Sequence, residues 1–102
     1  VSPKDFVTNE WAVGMHDQAL MCLKNIQTIL ETAGATLEDL ISIEVYINDV
    51  RWYKEFNDVW NEFFADVKCP PTRSTFQLGL LAPNMHIEMR AYAVKNTKYV
   101  EE

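Results

Sequence analysis

The chain predicts an α+β layer in which two amphipathic helices cover one face of a mostly antiparallel sheet. Three features of its 102 residues predict this. Apolar residues fall at three- and four-residue steps from Met15 to Ala33 and again from Tyr53 to Phe64, the spacing of two helix faces. Apolar and polar residues alternate with period two over Leu40 to Asn48, Arg73 to Leu80 and His86 to Ala93, as in strands with one buried face. The resulting order is helix, strand, helix, strand, strand, and at 48% hydrophobic content it fits one domain spanning residues 1–102. A domain this small buries only a modest core, so help from oligomerisation is expected.

Taken in order, Val1 to Glu10 mixes polar and apolar residues and reads as an extended or looped lead-in, with the option of a further strand. From about Trp11 the period changes, and Met15, Ala19, Cys22, Leu23, Ile26, Leu30 and Ala33 mark the first helix face, stopped at Gly34. Cys22 lies inside that stripe, which makes it a buried small hydrophobe and not a nucleophile. His16 and Asp17 read as surface residues. Thr36-Leu37-Glu38-Asp39 is a capped turn with Thr36 as the cap. The strand after it points Ile41, Ile43, Val45 and Ile47 to the helices and Ser42, Glu44, Tyr46 and Asn48 away. Asn48-Asp49 starts the second helix, which runs to about Val67 with Tyr53, Phe56, Val59, Trp60, Phe63 and Phe64 as its buried stripe and Asn57 at the edge of it. Pro70 and Pro71 hold the backbone extended into Arg73, and the polar end from Lys95 to Glu102 frays.

The stretch from Pro70 to Val94 reads as a β-hairpin turning at Leu81-Ala82-Pro83-Asn84. Phe76, Leu78 and Leu80 join Ile87, Met89, Ala91 and Ala93 on its buried face. Its other face carries Arg73, Thr75, Gln77 and Gly79 beside His86, Glu88, Arg90 and Tyr92. In such a hairpin Glu88 faces Thr75 or Gln77, with Arg73 about 7 to 14 Å further along. That separation admits a small carboxylate-bearing molecule, because an Arg fork pairs with a carboxylate and Glu88 can handle a proton at the other end. A cross-strand charge pair on an exposed sheet has the same alternation, so both readings stand at this point. The polar face, with Ser42, Glu44, Tyr46, Gln77 and Tyr92, is too aromatic for plain surface, and a homo-oligomer packed through it is expected.

Composition narrows the function classes. A formal net charge of −6 without a basic stripe argues against a nucleic-acid partner. Cys22 and Cys69 have neither CxxC nor Cys/His spacing, so no metal site is indicated, and two unpaired cysteines fit a reduced, cytoplasmic setting. No apolar run reaches the ~18 to 20 residues that span a bilayer, no signal-peptide pattern opens the chain, and a membrane partner is not expected. The first residue is Val1, which suggests that something upstream has been removed.

Pro70-Pro71-Thr72-Arg73-Ser74, followed by a strand, a short loop and Ile87-Glu88-Met89-Arg90-Ala91-Tyr92-Ala93, resembles the C-terminal signature of the Rid (YjgF-like) enamine/imine deaminases. Leu23-Lys24-Asn25-Ile26, Ala33-Gly34-Ala35, the strand from Ile43 to Asn48 and the helix from Phe56 to Phe64 also look like their family counterparts in the same order. The resemblance covers nearly the whole chain. It implies a chorismate-mutase-like α+β fold and a homotrimer with a barrel-like centre and ligand clefts between subunits. By the same resemblance Arg73 grips the substrate carboxylate, Glu88 positions the attacking water and Asn57 borders the cleft. Thr75 stands where relatives often carry Cys and offers a hydroxyl to the ligand. Arg90 replaces a second Glu. Family members open with a β-hairpin and a Ser-Gly-Gln segment that wall the cleft, whereas this chain begins after them at Val1-Ser2-Pro3, N-terminally short and with a sheet edge left open.

The implied activity is hydrolysis of reactive 2-imino or enamino acids to 2-keto acids and ammonia, of the 2-iminobutanoate/2-iminopropanoate deaminase type, without metal or organic cofactor. The alternative, drawn from the short front and from Thr75 and Arg90, is a non-catalytic trimeric module that binds small carboxylates or regulates. A ribonuclease or translation-inhibitor role fits poorly with an acidic chain.

Overall fold

The computed structural model describes residues 1–79 and 82–95. Leu80 of the expected buried strand face, Leu81 of the expected turn, and residues 96–102 of the polar end lie outside the described residues. Helix α1 spans Met15–Thr32, strand β1 Leu40–Ile47, helix α2 Tyr53–Phe63, strand β2 Thr72–Gln77 and strand β3 Ile87–Ala93. Gly14 and Gly34 bracket α1 at φ 84° and 79°, left-handed angles at which a Cβ is strained. The predicted stripe is buried at Met15, Ala19, Cys22, Leu23, Ile26 and Leu30.

Two amides are buried in the same helix and both are satisfied. Gln18 Nε2 donates to the carbonyls of Ala12 and Asn84, and its Oε1 accepts from the His86 N–H. Asn25 Nδ2 donates to the carbonyls of Ser2 and Lys4. These bonds fasten the lead-in and the 82–86 segment to α1, since a buried amide without partners would be costly. His16 Nδ1 and Asp17 Oδ1 are 3.0 Å apart on the surface.

Thr36 caps a short 3₁₀ turn over Leu37–Asp39 as a capping box, with Thr36 Oγ1 accepting from the Glu38 N–H and Asp39 Oδ2 from the Thr36 N–H. Asp49 caps the 3₁₀ turn Val50–Trp52 that leads into α2, its carboxylate accepting from the Arg51 N–H. Phe56, Val59 and Trp60 of α2 are buried, together with Phe64 just beyond it. Each such side chain contributes roughly 1.5–3 kcal/mol by burial.

The sheet differs from the hairpin expected. Its order is β2-β1-β3, so β2 and β3 do not pair with each other but flank β1, β2 in parallel and β3 antiparallel. A parallel neighbour needs a crossover, and α2 supplies it between β1 and β2. The connection over residues 78–86 is longer than the roughly two to five residues of common hairpin loops, and it carries the chain past β1 to its other edge.

The pairing also turns β2 over relative to the expected faces. Arg73 and Thr75 lie abreast of Ile43 and Val45, whose side chains are fully buried toward the helices. Phe76 therefore lies beside Tyr46 on the open face, 49% exposed, with the two rings stacked at 5.9 Å. On β3 the expected alternation holds at Ile87 and Met89, which are buried, while Glu88, Arg90 and Tyr92 face away; Ala91 is half-buried and Ala93, expected on the buried face, is exposed at the strand's end. On β1 the pairing slips between Leu40 and Ser42, so that Leu40 is buried and Ile41 is 49% exposed. The lead-in does reach the sheet: Val1 and Met89 exchange backbone hydrogen bonds at the outer edge of β3.

Candidate functional site

Arg73 is carried on β2 toward the helix layer. Its Cζ stands 5.6 Å from the ring centroid of Tyr53, 5.1 Å from Phe56 and 5.1 Å from Trp60. These three residues repeat at helical spacing on one face of α2, so the helix presents a row of π faces to the strand. Arg73 Nη2 donates to the Tyr53 hydroxyl at 2.9 Å. Its Nη1 is buried and has no acceptor among the described residues. A buried cationic donor left unpaired is costly, and an anionic acceptor would remove that cost.

Thr75 lies two residues along the same strand, half-buried and on the same face as Arg73. Asn57 sits on α2 one turn after Tyr53, partly exposed at the flank of the aromatic row. Arg73, Thr75 and Asn57 thus belong to the helix side of the sheet.

Glu88 is on the opposite side, directly across β1's Tyr46. It lines a cleft of about 270 Å³ with Val1, Tyr46, Met89, Arg90 and Ala91. Beside it, Glu44 pairs in register with Arg90 and accepts hydrogen bonds from the hydroxyls of Tyr46 and Tyr92. The bond to the Glu44 carboxylate raises the Tyr46 hydroxyl above its ordinary pKa, because phenolate would repel that acceptor. The hydrogen bond with Tyr92 likewise holds the Arg90 guanidinium above its ordinary value.

Within one chain, then, Arg73 and Glu88 are not brought together. They occupy the two outer strands and opposite faces, with β1 between them. Tyr53 is the contributor that periodicity misassigned to the buried stripe: it is 40% exposed and bonded to Arg73. The signal for it was available in the Tyr53, Phe56 and Trp60 spacing ahead of a strand Arg.

Residues 3–95 match the family described as Endoribonuclease L-PSP. The chain is 33% identical over 88 residues to a RutC family protein of Aquifex aeolicus, covering 86% of this chain and 70% of that one. It is 32% identical over 90 residues to TdcF of Escherichia coli, provisionally named a reactive intermediate deaminase, with 87% of this chain and 70% of the relative covered. The crystal structure of E. coli TdcF with bound serine superposes with a TM-score of 0.87 at 31% identity, over 93% of this chain and 76% of that one.

Proposed function

This chain belongs to the Endoribonuclease L-PSP family, the Rid (YjgF-like) proteins, and from that premise we propose that it hydrolyses small 2-imino acids, or the enamines from which they form, to 2-keto acids and ammonia. The observation that carries the reading is the Arg73 guanidinium, held by aromatic rings with Nη1 lacking an acceptor among the described residues. A carboxylate is the acceptor whose geometry suits it. Serine, the ligand of the TdcF structure, also bears one.

In this mechanism Arg73 pairs with the substrate carboxylate, while the Thr75 hydroxyl and the Asn57 amide hydrogen-bond the rest of the molecule. Glu88 accepts a proton from a water as its oxygen bonds to the imine carbon. That proton passes to nitrogen to complete the carbinolamine; its hydroxyl proton is then taken by Glu88 and delivered to nitrogen, so that the C–N bond breaks and ammonia leaves as the keto C=O forms. Imines hydrolyse in water unaided, so positioning and a proton path account for the catalysis without a metal or organic cofactor. Because Arg73 and Glu88 of one copy face opposite ways, the cleft lies between copies of the chain, in a homotrimer assembled through the open sheet face.

That same separation favours a second reading, a trimeric carboxylate-binding module without turnover. The two readings are distinguished by ammonia and keto-acid release from enzymatically generated 2-iminopropanoate, measured against spontaneous hydrolysis. Acceleration by the wild type that disappears in Arg73→Ala is the expected outcome. Acceleration unaffected by Arg73→Ala removes the clamp, and carboxylate binding without acceleration selects the module.

A further inference from the structure

A long Arg side chain on an open strand samples many rotamers, and fixing it costs up to about 2 kcal/mol of side-chain entropy. Proteins commonly fix such a group with a carboxylate, which also neutralises it. Arg73 is held differently. Among the described residues no carboxylate forms an ion pair with it. Three rings surround its Cζ at 5.1 to 5.6 Å, and the one side-chain acceptor on it is the neutral Tyr53 hydroxyl.

The cage is itself braced. Tyr53 meets Phe56 edge to face at 6.3 Å and 69°, and Phe56 meets Trp60 at 6.1 Å and 62°. Phe56 is fully buried, so the row is anchored in the core at its centre, whereas Tyr53 is 40% exposed at its end. Core packing alone does not account for a half-exposed Tyr whose hydroxyl ends on Nη2. Its hydroxyl instead ends on Nη2 of a guanidinium whose Nη1 is unpaired among the described residues.

We infer that Tyr53 is a positioning residue for the carboxylate clamp: it orients Arg73 through Nη2 without neutralising it, so that the remaining donors meet a substrate carboxylate already aligned. This rests on the reading of Arg73 as the clamp. It acts on binding and not on the reacting imine carbon, which Tyr53 does not touch.

The test uses Tyr53→Phe, which keeps the ring and removes only the hydroxyl, with pyruvate as the binding probe and 2-iminopropanoate as substrate. The pyruvate Kd and the KM rise about tenfold, as for loss of one hydrogen bond to a charged group, while kcat stays unchanged. In the Tyr53→Phe/Arg73→Ala double variant the Tyr53 effect vanishes, because its only route to the ligand is gone. A purely structural Tyr53 would add its effect undiminished to that of Arg73→Ala. An unchanged Kd in Tyr53→Phe alongside weakened pyruvate binding in Arg73→Ala, a tighter Kd in Tyr53→Phe, or full additivity overturns the positioning role and leaves the clamp intact. Absence of pyruvate binding by the wild type, or wild-type affinity in Arg73→Ala, overturns the clamp and this inference with it.

Discussion

Burial pushes the Cys22 thiol up to about 12, because a thiolate among α1, Val1 and β3 would be desolvated. Cys69 is exposed. Iodoacetamide should therefore label Cys69 in the folded protein and Cys22 only after denaturation, as read by mass spectrometry; labelling of native Cys22 would contradict its place in the core. The same shift makes a pH prediction. An unfolded thiol ionises from about 9, while the folded one keeps its proton to about 12. Across that window the unfolded state binds fewer protons, so stability falls as pH rises, and it is fully present below it. The fall, followed by urea midpoints, should be smaller in Cys22→Ala. For Glu88 the chemistry is the test: Glu88→Gln should lower kcat by about 10²- to 10⁴-fold, the usual worth of a general base, with pyruvate affinity retained. Wild-type kcat in that variant would remove Glu88 from the proton path.

Elements differ in how much of their stability is local. The Thr36 cap satisfies backbone donors at one turn, and Thr36→Ala should cost about 1 kcal/mol. Leu23, fully buried at the centre of the α1 face, leaves a cavity when cut back, and Leu23→Ala should cost about 2 to 5 kcal/mol. Urea unfolding of both variants checks the order, and a cap loss exceeding the core loss would mean that α1 is held less by packing than its burial implies. Strand β2 is the least buried element of the sheet, with most of its residues exposed and its outer edge unpaired among the described residues. It is nevertheless the strand that carries Arg73, and α2, through its aromatic row, is what fixes that side chain.

At the scale of the whole molecule, the open face of the sheet remains to be covered. Phe76 is 49% and Tyr92 42% exposed there, with Glu44 and Tyr46 of β1 set between them and Glu44 accepting from the hydroxyls of Tyr46 and Tyr92. Aromatic side chains of that size cluster at interfaces more than on free surface. Sedimentation equilibrium should give a trimer, and Phe76→Glu should shift it toward monomer with the helical circular dichroism unchanged. If the proposed cleft is shared between subunits, deaminase activity should fall with the trimer fraction, because Arg73 and Glu88 of one copy lie on opposite faces of the sheet; a fully active monomer would refute it.

Sequence alone determined what is local in this protein. The 3.6-residue stripes located both helices, Gly34 marked the stop of the first and Asn48-Asp49 the start of the second, Thr36 marked the capped turn between the first helix and β1, period-two runs located three strands, and the Arg73 and Glu88 segments pointed to the family. None of these signals says which strand lies beside which. Alternation reports that residues two apart share a face, but not which face, and a one-residue difference in assignment turns a whole strand over. That is why Arg73 and Glu88 read as hairpin neighbours in the sequence and lie on opposite faces in the fold. Tertiary structure decided the sheet order, because β1 is the strand with Ile43, Val45 and Ile47 fully buried and takes the central place, leaving β2 and β3 to its two edges. It also decided the face of β2: the rings of α2 lie within cation–π reach of the guanidinium, so Arg73 turns inward and Phe76 is left outside to stack on Tyr46.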